Sequence, residues 1–284
     1  MPDLFAAAPP ALRRARLREY HHYLVERDGE LNLGERTLSR REPAMKKYET
    51  PPEIIRDMDR LEFRRQYVQF EAGKGLPPEM VLLLALVKIN SAEAYGVARN
   101  FQRTLDRSLR SHDDTELRVL CEECYHTRIL LSIANRYGIE VLDPYRPPSA
   151  LRILIGGIAT APLAIARPLT LAGEIIATLM FVKLLGVTER VLAGDPETRD
   201  AILERIVEIC TDERGHISFN RMQMGAAELA QTRVLLPVAA RILSRAFPEL
   251  AVLGAYPTDV LSELPLLTDS RCLPECVRLR AFVA

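Results

Sequence analysis

The sequence predicts an all-α protein: a four-helix bundle with additional N- and C-terminal helices. Three observations carry that expectation. Four long segments, about 77–108, 113–137, 164–192 and 196–229, hold apolar residues at helical spacing. Two of them contain a Glu-x-x-His tetrad in apolar surroundings, Glu123-Cys124-Tyr125-His126 and Glu213-Arg214-Gly215-His216. A proline-bearing stretch, 138–163, separates the first pair of segments from the second, as a long crossover between two helical hairpins requires.

Taken in order, the chain reads as one helical domain over 1–284. Residues 1–76 form an N-terminal extension, 77–229 the bundle core, and 230–284 a C-terminal helix and tail. The extension holds a helix at about 11–28, an irregular charged connector, and a helix at about 52–72 that ends at Gly73-Lys74-Gly75. Pro77-Pro78-Glu79 starts the first bundle helix, and Leu82, Leu86, Ile89, Val97 and Phe101 mark its apolar face. Asp113-Asp114 opens the second and Gly138 closes it. Pro144, Pro147 and Pro148 rule out one continuous helix through the crossover. Gly194-Asp195-Pro196 divides the third bundle helix from the fourth. A further helix spans about 232–247, and the tail from Gly254 is expected to pack as loops.

Composition narrows the function. Lys plus Arg and Asp plus Glu each number 38, so the formal net charge is zero and no nucleic-acid partner is expected. Arg13, Arg14, Arg16 and Arg18 form a local basic patch, read as a solvated helix face or, as the weaker reading, a dock for an acidic partner. The first residues lack the pattern of a secretory signal, and the 5 cysteines fit a reducing compartment, so a cytoplasmic location is expected. The longest apolar run, 153–166, contains Gly156, Gly157 and Pro162 between Arg152 and Arg167. It is too short to span a membrane and reads as a buried crossover, with contact to lipid as the other reading. Cys121 and Cys124 read as core thiols, and Cys210 as lining a cavity beneath the tetrads. Cys272 and Cys276 sit in the tail without a zinc-ribbon partner.

The tetrads are the features that carry chemistry. Chance placement of 25 Glu and 5 His gives fewer than one Glu-x-x-His, and three are present. The third, Glu19-Tyr20-His21-His22, lies in a polar Arg-rich stretch and reads as surface. The other two each place a carboxylate and an imidazole side by side on one helix face. Register supplies two more acids. Glu93 precedes the turn near residue 110 by 17 residues, while Glu123 and His126 follow it by 13 and 16. Glu174 precedes Gly194 by 20, while Glu213 and His216 follow it by 19 and 22. In antiparallel hairpins such positions meet at similar depth. Glu174 is also the one acidic residue between Asp143 and Glu189, so no solvated face explains it. The alternative is a buried Glu paired with Arg or Lys.

The expected metal ligands are therefore Glu93, Glu123, His126, Glu174, Glu213 and His216. Four carboxylates carry −4, and two divalent cations cancel that charge; empty, the site would bury like charges at a large cost. Mixed carboxylate and imidazole donors suit two Fe ions, or Mn, better than structural zinc. Each tetrad is preceded by a second acid. We expect Asp212 to orient His126 and Glu122 to orient His216, since a ligating imidazole usually donates its other N–H to a carboxylate. A plain surface acid is the alternative for Glu122.

The order Glu93, Glu123-x-x-His126, Glu174, Glu213-x-x-His216 resembles the ferritin-like di-iron oxygenase and oxidase superfamily over residues 77–229. That group includes methane monooxygenase, acyl-carrier-protein desaturases, aldehyde deformylating oxygenases, p-aminobenzoate N-oxygenases and the ribonucleotide reductase small subunit. The resemblance implies the six ligands, the two orienting acids, and Thr178 as a catalytic residue. Thr178 lies one turn after Glu174, where several oxygenases have a Thr linked to proton delivery; a Thr bonding back to a helix carbonyl is the other reading. Two departures stand out. N-oxygenases of the group have a seventh ligand His where this chain has Ile209, and the radical-storing reductase subunit has a Tyr where this chain has Leu130.

The implied function is hydroxylation or N-oxygenation of an apolar or aromatic organic substrate with O2. The apolar neighbours Val97, Leu130, Ile175, Leu179, Ile209 and Ile217 are expected to form a greasy cavity. Alternatives are a desaturase- or deformylase-type oxidase of an acyl substrate, and a ferroxidase or iron-storage protein. A non-catalytic helical protein with a relic site is the third class. Implied partners are O2, the substrate, an external electron donor (reductase or ferredoxin) and, for a tethered substrate, a carrier protein; a homodimer is compatible with this, and no membrane span is expected.

Overall fold

Four long helices dominate the structure, and their ends are fixed by residues that cannot continue them. The computed structural model describes residues 4–49, 58–139, 147–268 and 275–282, with backbone only at residues 276 and 279. The chain is all-α, as expected, apart from one small hairpin.

α1 (Pro10–Asp28) starts on proline, whose missing N–H would find no helical partner there, and ends at Gly29 with φ +79°. The connector after it is more ordered than expected. Leu31–Asn32 (β1) pairs antiparallel with Thr37–Leu38 (β2), and α2 (Glu42–Glu49) follows. Elements this short show no period in a sequence. What holds the hairpin is tertiary: Leu38 is fully buried, and its N–H donates to the Tyr125 hydroxyl at 2.9 Å. α3 (Arg60–Val68) is capped by Asp59, whose carboxylate accepts the N–H groups of Leu61 and Glu62. The helix expected over 52–72 is thus shorter at its C-terminus, where Gln69 turns extended; residues 52–57 lie outside the described residues.

α4 (Pro78–Ser111) and α5 (Thr115–Asn135) form the first hairpin. His112, left-handed at φ +57°, ends α4, and the Asp113 carboxylate accepts the Thr115 N–H at 2.9 Å. α6 (Ser149–Thr160) occupies the second half of the crossover. α7 (Leu163–Val191) and α8 (Pro196–Met222) form the second hairpin, with Asp195 capping α8 through the Thr198 N–H. α8 ends well before residue 229. Gly225 is extended, and its N–H is taken by the Glu228 carboxylate at 2.8 Å, which opens α9 (Ala226–Ala246) instead. Apolar periodicity runs through this break, so the sequence hides it. The tail forms short helices rather than loops: α10 (Pro248–Val252), α11 (Val260–Glu263), α12 (Pro265–Thr268) and α13 (Glu275–Arg280).

α4 packs on α5 and α7 on α8, and the pairs join through α5–α8 and α4–α7 contacts, closing a four-helix bundle. α9 covers α7, α6 lies against α4, α7 and α9, and α1 crosses α8 and α5. The core runs through the bundle as Leu82, Leu86, Ile129, Ile133, Ile175, Leu179, Ile206 and Ile209. By length and composition α4 and α7 could each cross a bilayer, which the 153–166 run did not signal. Here 67% and 61% of those apolar windows are buried inside the protein, which is why bundle helices so apolar can pack in one core.

Candidate metal centre

The four bundle helices bring the six predicted ligands to one place. Glu93 comes from α4, Glu123 and His126 from α5, Glu174 from α7, and Glu213 and His216 from α8. One atom each from Glu123, Glu174, Glu213 and His216 lies within 4.8 Å of the others, and the same holds for Glu93, His126 and Glu213. Glu213 belongs to both groups. Glu123 reaches both imidazoles, at 3.3 Å from His126 Nδ1 and 2.9 Å from His216 Nδ1. His126 Nδ1 is also 3.3 Å from Glu213 Oε1. The ring centroids of the two imidazoles are 5.7 Å apart.

Buried polar atoms normally have a hydrogen-bond partner, and leaving one without costs on the order of 1–3 kcal/mol. His126 Nδ1, His216 Nδ1, Glu93 Oε2 and Glu213 Oε2 are all buried and lack one. The imidazole nitrogens lie beside carboxylates without hydrogen-bond geometry. These four atoms belong to the clustered residues, and the donor set of carboxylate oxygens and imidazole nitrogens fits a divalent cation.

The two acids expected to orient the imidazoles lie beside them. His126 Nε2 is 3.0 Å from Asp212 Oδ2, and His216 Nε2 is 2.9 Å from Glu122 Oε2. Glu122 is fully buried, so it is not a surface acid. If each Nε2 carries the proton and donates it, each Nδ1 is left with its lone pair toward the centre.

Sequence reasoning missed what holds these acids. Arg27 of α1 and Arg41, just ahead of α2, enter the bundle beside them. Arg27 pairs with Glu122 and lies 2.8 Å from both Asp28 Oδ1 and Asp212 Oδ1. Arg41 lies 2.8 Å from Asp212 Oδ2, 3.4 Å from Glu122 Oε1 and 3.1 Å from Glu208 Oε1. The only sequence signal was an arginine near each end of a polar connector, which is indistinguishable from a solvated charge. Gly215 contributes as well: a Cβ there would meet the buried Tyr20 ring at 3.2 Å, so its absence lets α1 approach α8.

The charges in the centre oppose one another. Burial pushes the Glu93 and Glu174 carboxyls well above the usual carboxylate range, and the neighbouring Glu213 and Glu123 add to this at Glu174. Burial acts in the same direction on Glu123, but His126 and His216 outweigh it and hold that carboxyl low. Burial opposes the charged form of both imidazoles, yet Glu123 raises them, helped at His126 by Asp212. Asp212 is held well below its usual range against burial by Arg41 and Arg27.

Glu93, Glu123, Glu174 and Glu213 line one end of a cavity of about 360 Å³. That opening leaves Glu93, Glu123 and Glu174 half-buried rather than buried. Its walls correct the sequence reading. Val97 lines it, but Leu130, Ile175, Leu179, Ile209 and Ile217 are packed in the core and do not line it. The walls are instead Leu120 of α5, Leu151, Leu154, Ile155 and Ile158 of α6, and Ala239 and Leu243 of α9. Thr178 is not part of the wall. Its hydroxyl donates to the Glu174 carbonyl at 2.7 Å, the helix back-bond, so the structure does not bring it to the carboxylate cluster as a catalytic group. Cys210 is buried and likewise absent from the wall; burial pushes the Cys121 thiol up to about 12. Cys272 and the Cys276 side chain lie outside the described residues. In the third tetrad Glu19 pairs with Arg16 and His22 is exposed, as a surface reading requires; His21 instead bonds Thr115 near Asp113 and Asp114.

The fold and centre define a mostly helical protein with buried carboxylate and histidine clusters able to hold metal. No protein-family model, curated protein or solved structure matches the chain.

Proposed function

We propose that the protein is a non-haem di-iron, O2-dependent oxygenase of an apolar or aromatic organic substrate. The observation that supports this best is the meeting of four carboxylates and two unbonded imidazole Nδ1 atoms at one end of an apolar cavity. Glu93 and His126 would hold one ion and Glu174 and His216 the other, with Glu123 and Glu213 within reach of both. Manganese fits the same donors. When bound, two ferrous ions supply electrons to O2 and make it able to oxidise the substrate.

The chain's own residues do the rest. Asp212 and Glu122 accept the Nε2 protons and fix both rings. Arg27 and Arg41 neutralise those acids, so the acids remain ionised in a buried setting. The bundle core excludes water on the remaining sides, and the cavity positions the substrate against the carboxylates. Continued turnover needs an external electron donor, since the chain carries no flavin or nicotinamide fingerprint.

An iron-storage role is less well supported. Among the described residues, Glu116 is the one carboxylate of the cavity wall beyond the cluster, and it is already paired with Arg107 at 2.6 Å. Anaerobic titration with Fe(II), followed by O2, tests the proposal. An oxygenase saturates at two irons per chain and consumes O2 with an added reductant and an apolar substrate. Uptake of many irons per chain would favour storage. Two irons retained by Glu123→Ala or Glu213→Ala would contradict the ligand set.

A further inference from the structure

A second set of polar residues stands two turns from the carboxylates, on the same faces and toward the same end of the bundle. Asn100 follows Glu93 by seven residues, and Asn220 follows Glu213 by seven. Glu116 precedes Glu123 by seven, and Arg167 precedes Glu174 by seven. Seven residues return a helix to nearly the same face, about 10 Å further along. All four line the same cavity as the carboxylates. Between the two levels the bundle helices contribute Val97, Leu120 and Thr170 to the wall, and α6 adds Leu151 and Ile155.

Three members of this upper level already have partners. The Glu116 carboxylate takes Arg107 at 2.6 Å. Asn100 Nδ2 donates to the Gly96 carbonyl at 2.9 Å, and Asn220 Nδ2 to the His216 carbonyl at 3.0 Å. Arg167 differs. It is half-buried in the wall, donates one N–H to Gln223 Oε1 at 2.8 Å, and faces no carboxylate among the described residues. A guanidinium with one side-chain partner has further N–H groups with which to meet a planar anion.

We propose that the cavity binds an organic anion, an apolar chain or ring ending in a carboxylate, with Arg167 as its anchor. Gln223 holds one side of the guanidinium and so sets the direction of the fork. The body of the ligand lies along the apolar wall, and its far end reaches the carboxylate cluster. This deepens the oxygenase proposal by naming the substrate class. The anchor itself depends only on the cavity.

Calorimetric titration of the purified metal-containing protein with octanoate and with octan-1-ol tests it, with metal content measured on the same samples. The wild type should bind octanoate more tightly than octan-1-ol. Arg167→Gln should weaken octanoate by about 10-fold or more, the scale of a charged hydrogen bond, and leave octan-1-ol unchanged. Arg167→Lys, which keeps the charge, should retain some preference for octanoate. Equal binding of the two probes by the wild type would overturn the proposal. So would undiminished octanoate affinity in Arg167→Gln, which would place the carboxylate on the metals. A protein that takes up no Fe(II) yet prefers octanoate would end the oxygenase reading and keep the anchor; two irons taken up without the preference would do the reverse.

Discussion

At the scale of the residue, the centre depends on which atom of each imidazole is left free. Asp212 and Glu122 take the two Nε2 positions at 3.0 and 2.9 Å, so both Nδ1 atoms point at the carboxylates. Asp212→Ala should therefore free the His126 ring to turn, and should also lower fold stability because Arg27 and Arg41 lose a partner. Metal affinity should fall by roughly 10–100-fold, the usual effect of removing such a partner. Competition with a metallochromic chelator reads this directly, and an unchanged affinity would remove the role assigned to Asp212. Thr178 shows the opposite case. Its position one turn from Glu174 is legible in the sequence, but the direction of its hydroxyl is not, and that hydroxyl is spent on a helix carbonyl.

At the scale of the element, the N-terminal extension is part of the centre. α1 delivers Arg27, and the hairpin of β1 and β2 leads the chain to Arg41, which contacts Asp212, Glu122 and Glu208. Arg41→Ala should leave those buried acids without a main partner and destabilise the fold by about 3–5 kcal/mol, the usual cost of breaking a buried pair. Chemical denaturation measures it; a loss under about 1 kcal/mol would mean that water or Arg27 replaces it. This element also marks where the sequence stops being readable. The bundle helices announce themselves by long apolar periods and by Asp, Gly and Pro at their ends, so Glu93, Glu174 and the two tetrads could be aligned by counting from the turns. The hairpin at Leu31–Leu38 is too short for a period, and the break at Gly225 lies inside one. The cavity was misplaced for a related reason. A helix period identifies an apolar face but not whether a neighbour fills it. Leu130 and Ile175 meet other helices, while Val97 meets open space under α6.

At the scale of the whole molecule, an apolar bundle holds a charged centre that protons and cations compete to neutralise. Burial raises Glu93 and Glu174, and Glu123 raises His126 and His216 against burial, so protons would compete with a metal for these groups. Metal binding should therefore release protons, and affinity should rise with pH and fall as the solution is acidified. Calorimetric titrations of Mn(II) in two buffers of different ionisation enthalpy count those protons; no release would contradict the charge balance described here. The most direct test of the centre is anomalous scattering at the iron edge from crystals grown anaerobically with Fe(II). The account predicts two peaks among Glu93, Glu123, His126, Glu174, Glu213 and His216. No peak among these six, or iron only at His21, Asp113 and Asp114, would contradict it.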